Sequence, residues 1–266
     1  MRVVKAFSCL VLLSCLVAGG AGAEGQAARR EAFAFANTPG TRLLALSPIS
    51  HPERPYRAVC PGGKVFRVKF VKRKQATPKD TGRATAANFD NSAGDLFRIV
   101  GGRTGGDGTC LLIEDASLNG KTIVKPTSLR DKRCDPLQSK KVADEKGRAV
   151  AQCWRKLRLT AGKELLLVLF EGKGKDALAS LVLFTPRKLA FMDFPGQNDP
   201  TSTWRVDDGG VLEPAYFEVL FILAEGDALE IALSWAGVEG DALRLLKVEA
   251  ESFQTILEGY RYWAPS

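Results

Sequence analysis

Histidine is almost missing from this sequence: among 266 residues the single imidazole belongs to His51. That excludes the common multi-histidine metal sites and leaves one candidate base for a Ser-His-Asp triad. His51 lies between Ser50 and Pro52, in a loop-like stretch where a solvated side chain is expected rather than a catalytic one. Also absent are the G-x-S-x-G turn, the G-x-x-x-x-G-K-[ST] phosphate loop and any C-x-x-C pair. The glycine run at 101–108 lacks the G-x-G-x-x-G spacing and any βαβ surroundings, so it predicts a wide turn. Past the N-terminal segment, no stretch is long and uncharged enough to cross a bilayer, which takes roughly 20 apolar residues. No catalytic residue, metal or cofactor is therefore assigned.

The first residues are short and basic, with Arg2 and Lys5. An apolar stretch follows over 6–18, then small residues ending in Ala21-Gly22-Ala23. This three-part layout predicts a signal peptide over 1–23, cleaved near Ala23, and a periplasmic or secreted protein. Four cysteines remain beyond it: Cys60, Cys110, Cys134 and Cys153. An even number in an exported chain predicts two disulfides, with three pairings open.

Charge divides the chain. Residues 24–160 hold 27 Lys and Arg against 13 Asp and Glu, whereas 161–266 hold 9 against 17. All four mature cysteines lie in the basic part. These two changes predict a flexible leader over 24–45, a basic disulfide-bearing β subdomain over 46–160 and an acidic β-meander subdomain over 161–266. A single domain with a dipolar surface is the other reading.

Hydrophobic periodicity is mostly that of strands. Phe66, Val68 and Phe70 alternate with Arg67 and Lys69, the period of a half-buried strand. Further strands are read at 95–100, 110–114 and 149–159, with a short helix within 136–147. The acidic part is a series of apolar runs at 165–170, 178–184, 189–194, 217–224 and 229–235. Short turns join them, among them Glu225-Gly226-Asp227, whose motif recurs at Glu239-Gly240-Asp241. Such a series predicts an antiparallel meander. The stretch 241–259 fits either strands or a helix. The tail around Tyr260 and Tyr262 reads as a terminal strand with core-facing tyrosines. The expected fold is mainly β: an antiparallel β-sandwich or barrel-like meander, in one or two subdomains, with at most one or two short helices.

The most distinctive surface feature is cationic. Arg67, Lys69, Lys72, Arg73, Lys74, Lys79 and Arg83 fall within seventeen residues. Clustered cations favour anionic partners, although lysines also protect strand edges from unwanted pairing. In an exported chain the expected partner is an anionic envelope component or an acidic protein, and nucleic acid is not expected. Asp90, Asn91, Ser92 and Asp95 offer oxygens of the kind calcium takes, but not in the order of an EF-hand. Taken together, the sequence predicts a non-enzymatic exported binding or interaction protein that uses its basic surface. The alternatives are a hydrolase working through carboxylates or a Ser-Lys pair, which needs no histidine, and a structural subunit of an envelope assembly.

Overall fold

The computed structural model describes residues 29–160, 162–197, 212–249 and 252–263. The expected signal peptide over 1–23 lies outside these residues. The fold is mainly β, with one α-helix among the described residues and antiparallel ladders throughout the sheets.

Six strands close a barrel. They are β1 (Glu31–Ala36), β2 (Arg42–Ala45), β3 (Tyr56–Cys60), β4 (Lys64–Lys74), β5 (Gly94–Val100) and β6 (Thr109–Glu114), in the order β1-β2-β5-β4-β3-β6. Its interior is narrow because small side chains fill it: Ala32, Ala34, Ala36, Ala45 and Ala58 pack with Phe97, Leu112 and the Cys60–Cys110 disulfide. The stretch 24–45, expected as a flexible leader, instead supplies β1 and β2. The physical reason lies in Ala32-Phe33-Ala34-Phe35-Ala36, a period of two in which alanine faces the tight barrel and phenylalanine faces outward under cover.

Two five-stranded sheets follow. One has the order β12-β11-β10-β9-β8, with β8 (Thr127–Arg133), β9 (Val150–Thr160), β10 (Lys163–Phe170), β11 (Asp176–Phe184) and β12 (Leu189–Gln197). The other has the order β16-β15-β14-β13-β7, with β7 (Thr122–Val124), β13 (Phe217–Glu225), β14 (Ala228–Ala236), β15 (Gly240–Glu249) and β16 (Ser252–Tyr262). They face each other across a core that includes Trp154, Leu167, Phe194, Phe217, Ile231 and Trp235. The outer side of the second sheet packs on the barrel, where Leu220, Leu245 and Leu257 meet Phe33, Val59, Leu111 and Ile113. The outer side of the first sheet is covered by α1 (Pro136–Lys146) through Val142. Both sheets are thus buried on both sides, which explains runs such as Leu165-Leu166-Leu167-Val168 where alternation would otherwise appear.

The helix is bounded by local chemistry. Asp135 and Gln138 form a reciprocal capping box, and Gly147 ends the helix in the left-handed conformation, φ 63°. The second disulfide, Cys134–Cys153, ties its entry to β9. Of the stretch 241–259, residues 241–249 and 252–259 belong to strands β15 and β16. At the end of β16 the buried side chain is Arg261, while Tyr260 is half exposed and Tyr262 only partly buried, so the tyrosines do not face the core as expected. The change in charge near residue 160 falls inside the β9–β10 hairpin, where Thr160 pairs with Lys163, rather than between sheets. The change of architecture comes earlier, after β6.

Candidate functional site

The docked sheet covers the barrel from the side of β1, β3 and β6, and the residues that meet there are apolar. The opposed charges of the two halves do meet elsewhere, in the ion pairs Lys121–Glu230, Lys146–Asp193 and Arg155–Glu164, and Arg261 of β16 pairs with Asp107 in the loop before β6. The arc formed by β2, β5 and β4 carries the cations.

Register turns this arc into rows. Arg57 of β3 lies opposite Arg67 of β4, which lies opposite Val100 of β5. One step along, Lys69 of β4 lies opposite Arg98 of β5, which lies opposite Arg42 of β2. Directly opposed residues stand about 5 Å apart at Cβ, and like charges there oppose sheet formation. Two of these cations are answered: Arg57 by Asp115 at 2.7 Å and Arg42 by Asp90 at 3.2 Å. Arg67, Lys69 and Arg98 are exposed and make no ion pair among the described residues.

A cleft of about 700 Å³ opens beside these rows. It forms where β3 begins at Tyr56 and β4 runs on, paired with β5. Arg54, Arg57, Arg67 and Lys69 bring four cations to it against the carboxylates of Glu53 and Asp115. Pro55, Tyr56, Val68, Phe70 and Val100 supply apolar surface. Tyr56 and Phe70 both pack against Phe97, at ring centroid separations of 5.6 Å. The Tyr56 hydroxyl is buried and has no hydrogen-bond partner among the described residues. Burial, with Glu114 nearby, pushes its pKa up to about 12, so it remains a neutral donor.

The seven cations read from the sequence do not form one patch. Arg67 and Lys69 lie in the rows, and Lys72 is exposed just past a bulge in β4. Arg73 instead turns to Asp95, which it holds at 2.7 and 3.1 Å while also donating to the Ile49 carbonyl. Lys74 donates to the Phe89 carbonyl at 2.7 Å and lies over the Phe89 ring. Both are thus engaged within the chain, although the Arg73 side chain stays more than half exposed. Lys79 and Arg83 are exposed on the 75–93 loop, which Asn88, Asp80 and Ser92 organise by hydrogen bonds. Arg42, Arg54, Arg57 and Arg98 were not among the predicted residues, because only strand pairing brings them beside Arg67 and Lys69.

The oxygens weighed for calcium are used separately. Asp90 meets Arg42, Asp95 meets Arg73 and the Ile49 amide, and Asn91 accepts from Thr77. His51 sits in an exposed turn, 3.5 Å from Glu53. Among the described residues no group of three His, Cys, Asp or Glu side chains is placed to hold a metal ion. Two disulfides, Cys60–Cys110 and Cys134–Cys153, suit an oxidising, extracytoplasmic compartment. The chain matches no protein-family model, no curated protein and no solved structure.

Proposed function

We propose that this is an exported, non-enzymatic binding protein whose basic barrel face takes an anionic ligand outside the cytosol. The observation that carries the reading is the pair of cross-strand rows, in which Arg67, Lys69 and Arg98 are held together without counter-charges beside an open cleft. Like charges so placed cost the sheet stability, and an anion bound there would offset that cost. The N-terminal layout and the disulfides support export to a periplasmic or extracellular space. The ligand is an anionic envelope component or an acidic protein, since these are the anions such a space offers in quantity.

Reversing two charges tests the site. The R67E/K69E variant is expected to lose at least tenfold in affinity for dextran sulfate at low salt, with thermal unfolding no lower than that of the natural protein, since the reversal relieves the repulsion across the rows. Equal affinity in both proteins would remove the barrel face from consideration.

A further inference from the structure

We infer that the β3-facing edge of β4 is a docking site for one extended acidic segment of a partner protein, which joins the barrel as an added strand. This rests on the anion-binding reading above and narrows it to a ligand class.

The edge is a consequence of unequal strand lengths. β4 has eleven residues and β3 has five. Their pairing runs from Cys60–Lys64 to Tyr56–Val68 and stops. Beyond it, residues 69–74 pair with β5 alone among the described residues. Six residues of strand span about 20 Å, enough for a peptide of five or six residues. A bulge between Phe70 and Lys72 re-aims this segment, and Val71 there is half exposed. Bulges are common where a sheet edge is put to use.

The cleft lies where such a strand would enter. Side chains of an added strand would alternate between two surroundings. One set would meet Arg57, Arg67 and Lys69; the other would meet Tyr56 and Phe70 at the barrel end. The expected segment therefore alternates acidic with apolar residues. Lysine on a bare edge ordinarily blocks pairing, and here it would reject a second basic copy of this barrel. An acidic strand meets the opposite condition: the charge that bars other edges admits it. A sulfated glycan would satisfy the cations but leave the amides and carbonyls of the edge unused.

The test uses the full mature chain with both disulfides formed. The probe is a fluorescent ten-residue peptide alternating Glu and Val. Its comparators are the same peptide with alternate backbone amides methylated, an alternating Lys-Val peptide and dextran sulfate. The Glu-Val peptide is expected to bind, to weaken at least tenfold on amide methylation, and to weaken at least tenfold against R67Q/K69Q. Backbone amides within 69–74 are expected to gain protection from hydrogen exchange in the complex. Thermal unfolding of R67Q/K69Q at or above the temperature of the natural chain shows that the loss is not misfolding. Equal binding of the methylated peptide without added protection would overturn strand docking, as would binding of dextran sulfate alone. Failure of both the Glu-Val peptide and dextran sulfate would overturn the anion-binding reading as well.

Discussion

Single residues show how this chain distinguishes charge engaged within the fold from charge left exposed. Glu164 is the clearest structural case. It is buried, accepts two hydrogen bonds from Arg155 at 2.8 and 2.6 Å, and is also held by Arg158 and Gln138. The Arg155 bonds lead in lowering its pKa to about 2, from an ordinary 4.5. A depressed carboxyl pKa contributes stability that is complete above the unfolded value and fades as pH falls toward the folded one. The contribution of Glu164, at most about 3 kcal/mol, should therefore disappear between about pH 4.5 and pH 2. Urea unfolding across that range should show a loss in the natural protein that is missing from E164Q. E164Q itself should be less stable at pH 7, because two guanidinium groups lose their anion. A stability profile over this range identical in both proteins would refute the assignment. Tyr56 makes a smaller prediction. Its hydroxyl is buried without a partner, so Tyr56→Phe should leave stability unchanged or raise it by up to about 1 kcal/mol. A clear loss in urea unfolding would show that the hydroxyl is satisfied.

At the scale of elements, the two disulfides brace different parts. Cys60–Cys110 joins β3 to β6 inside the barrel and closes a loop with a sequence separation of 50. Cys134–Cys153 closes one of 19 at the entry to α1. Loop-closure entropy assigns about 4 kcal/mol to the first and about 3 kcal/mol to the second. The C60A/C110A variant should therefore lose more stability than C134A/C153A, as read by urea unfolding; the reverse order would show that loop entropy does not set the ranking. Asp135→Ala, which removes the capping box, should cost about 1 kcal/mol by the same measurement. Elements were also where the sequence was most and least readable. The strand around Phe66, Val68 and Phe70 and the apolar runs of the two sheets were legible from their period and turns. β1 and β2 were not, because alanine in a narrow barrel does the work that larger residues do elsewhere. β15 and β16 were ambiguous because a register shift between Leu245 and Leu246 breaks the alternation of β15, and Leu243, Leu246 and Leu257 then also fit a helical stripe. The same limit hid half of the candidate site. Arg67 and Lys69 stand out in sequence, but Arg57, Arg98 and Arg42 join them only through register. Arg73 and Lys74 stand out equally, and only the structure shows that Asp95 and the Phe89 carbonyl engage them.

At the scale of the whole molecule, the arrangement assigns each layer a task. The helix-backed sheet and the barrel-facing sheet hide their apolar surfaces on each other, and the second sheet covers one side of the barrel. Arg261 fastens the end of β16 to the barrel loops, donating to Ala84, Asp107 and Thr109. What the packing leaves uncovered is the arc with its cationic rows and the cleft at its edge. That arc is the proposed anion site. The most direct measurement is the affinity of the mature protein for dextran sulfate over a series of salt concentrations, compared with R67Q/K69Q/R98Q. Exposed charges are screened over about 10 Å at 0.1 M salt, so the natural protein should bind tightly at low salt and weaken steadily as salt rises. The triple variant should bind at least tenfold more weakly and respond less to salt. Identical curves for the two proteins would contradict the account.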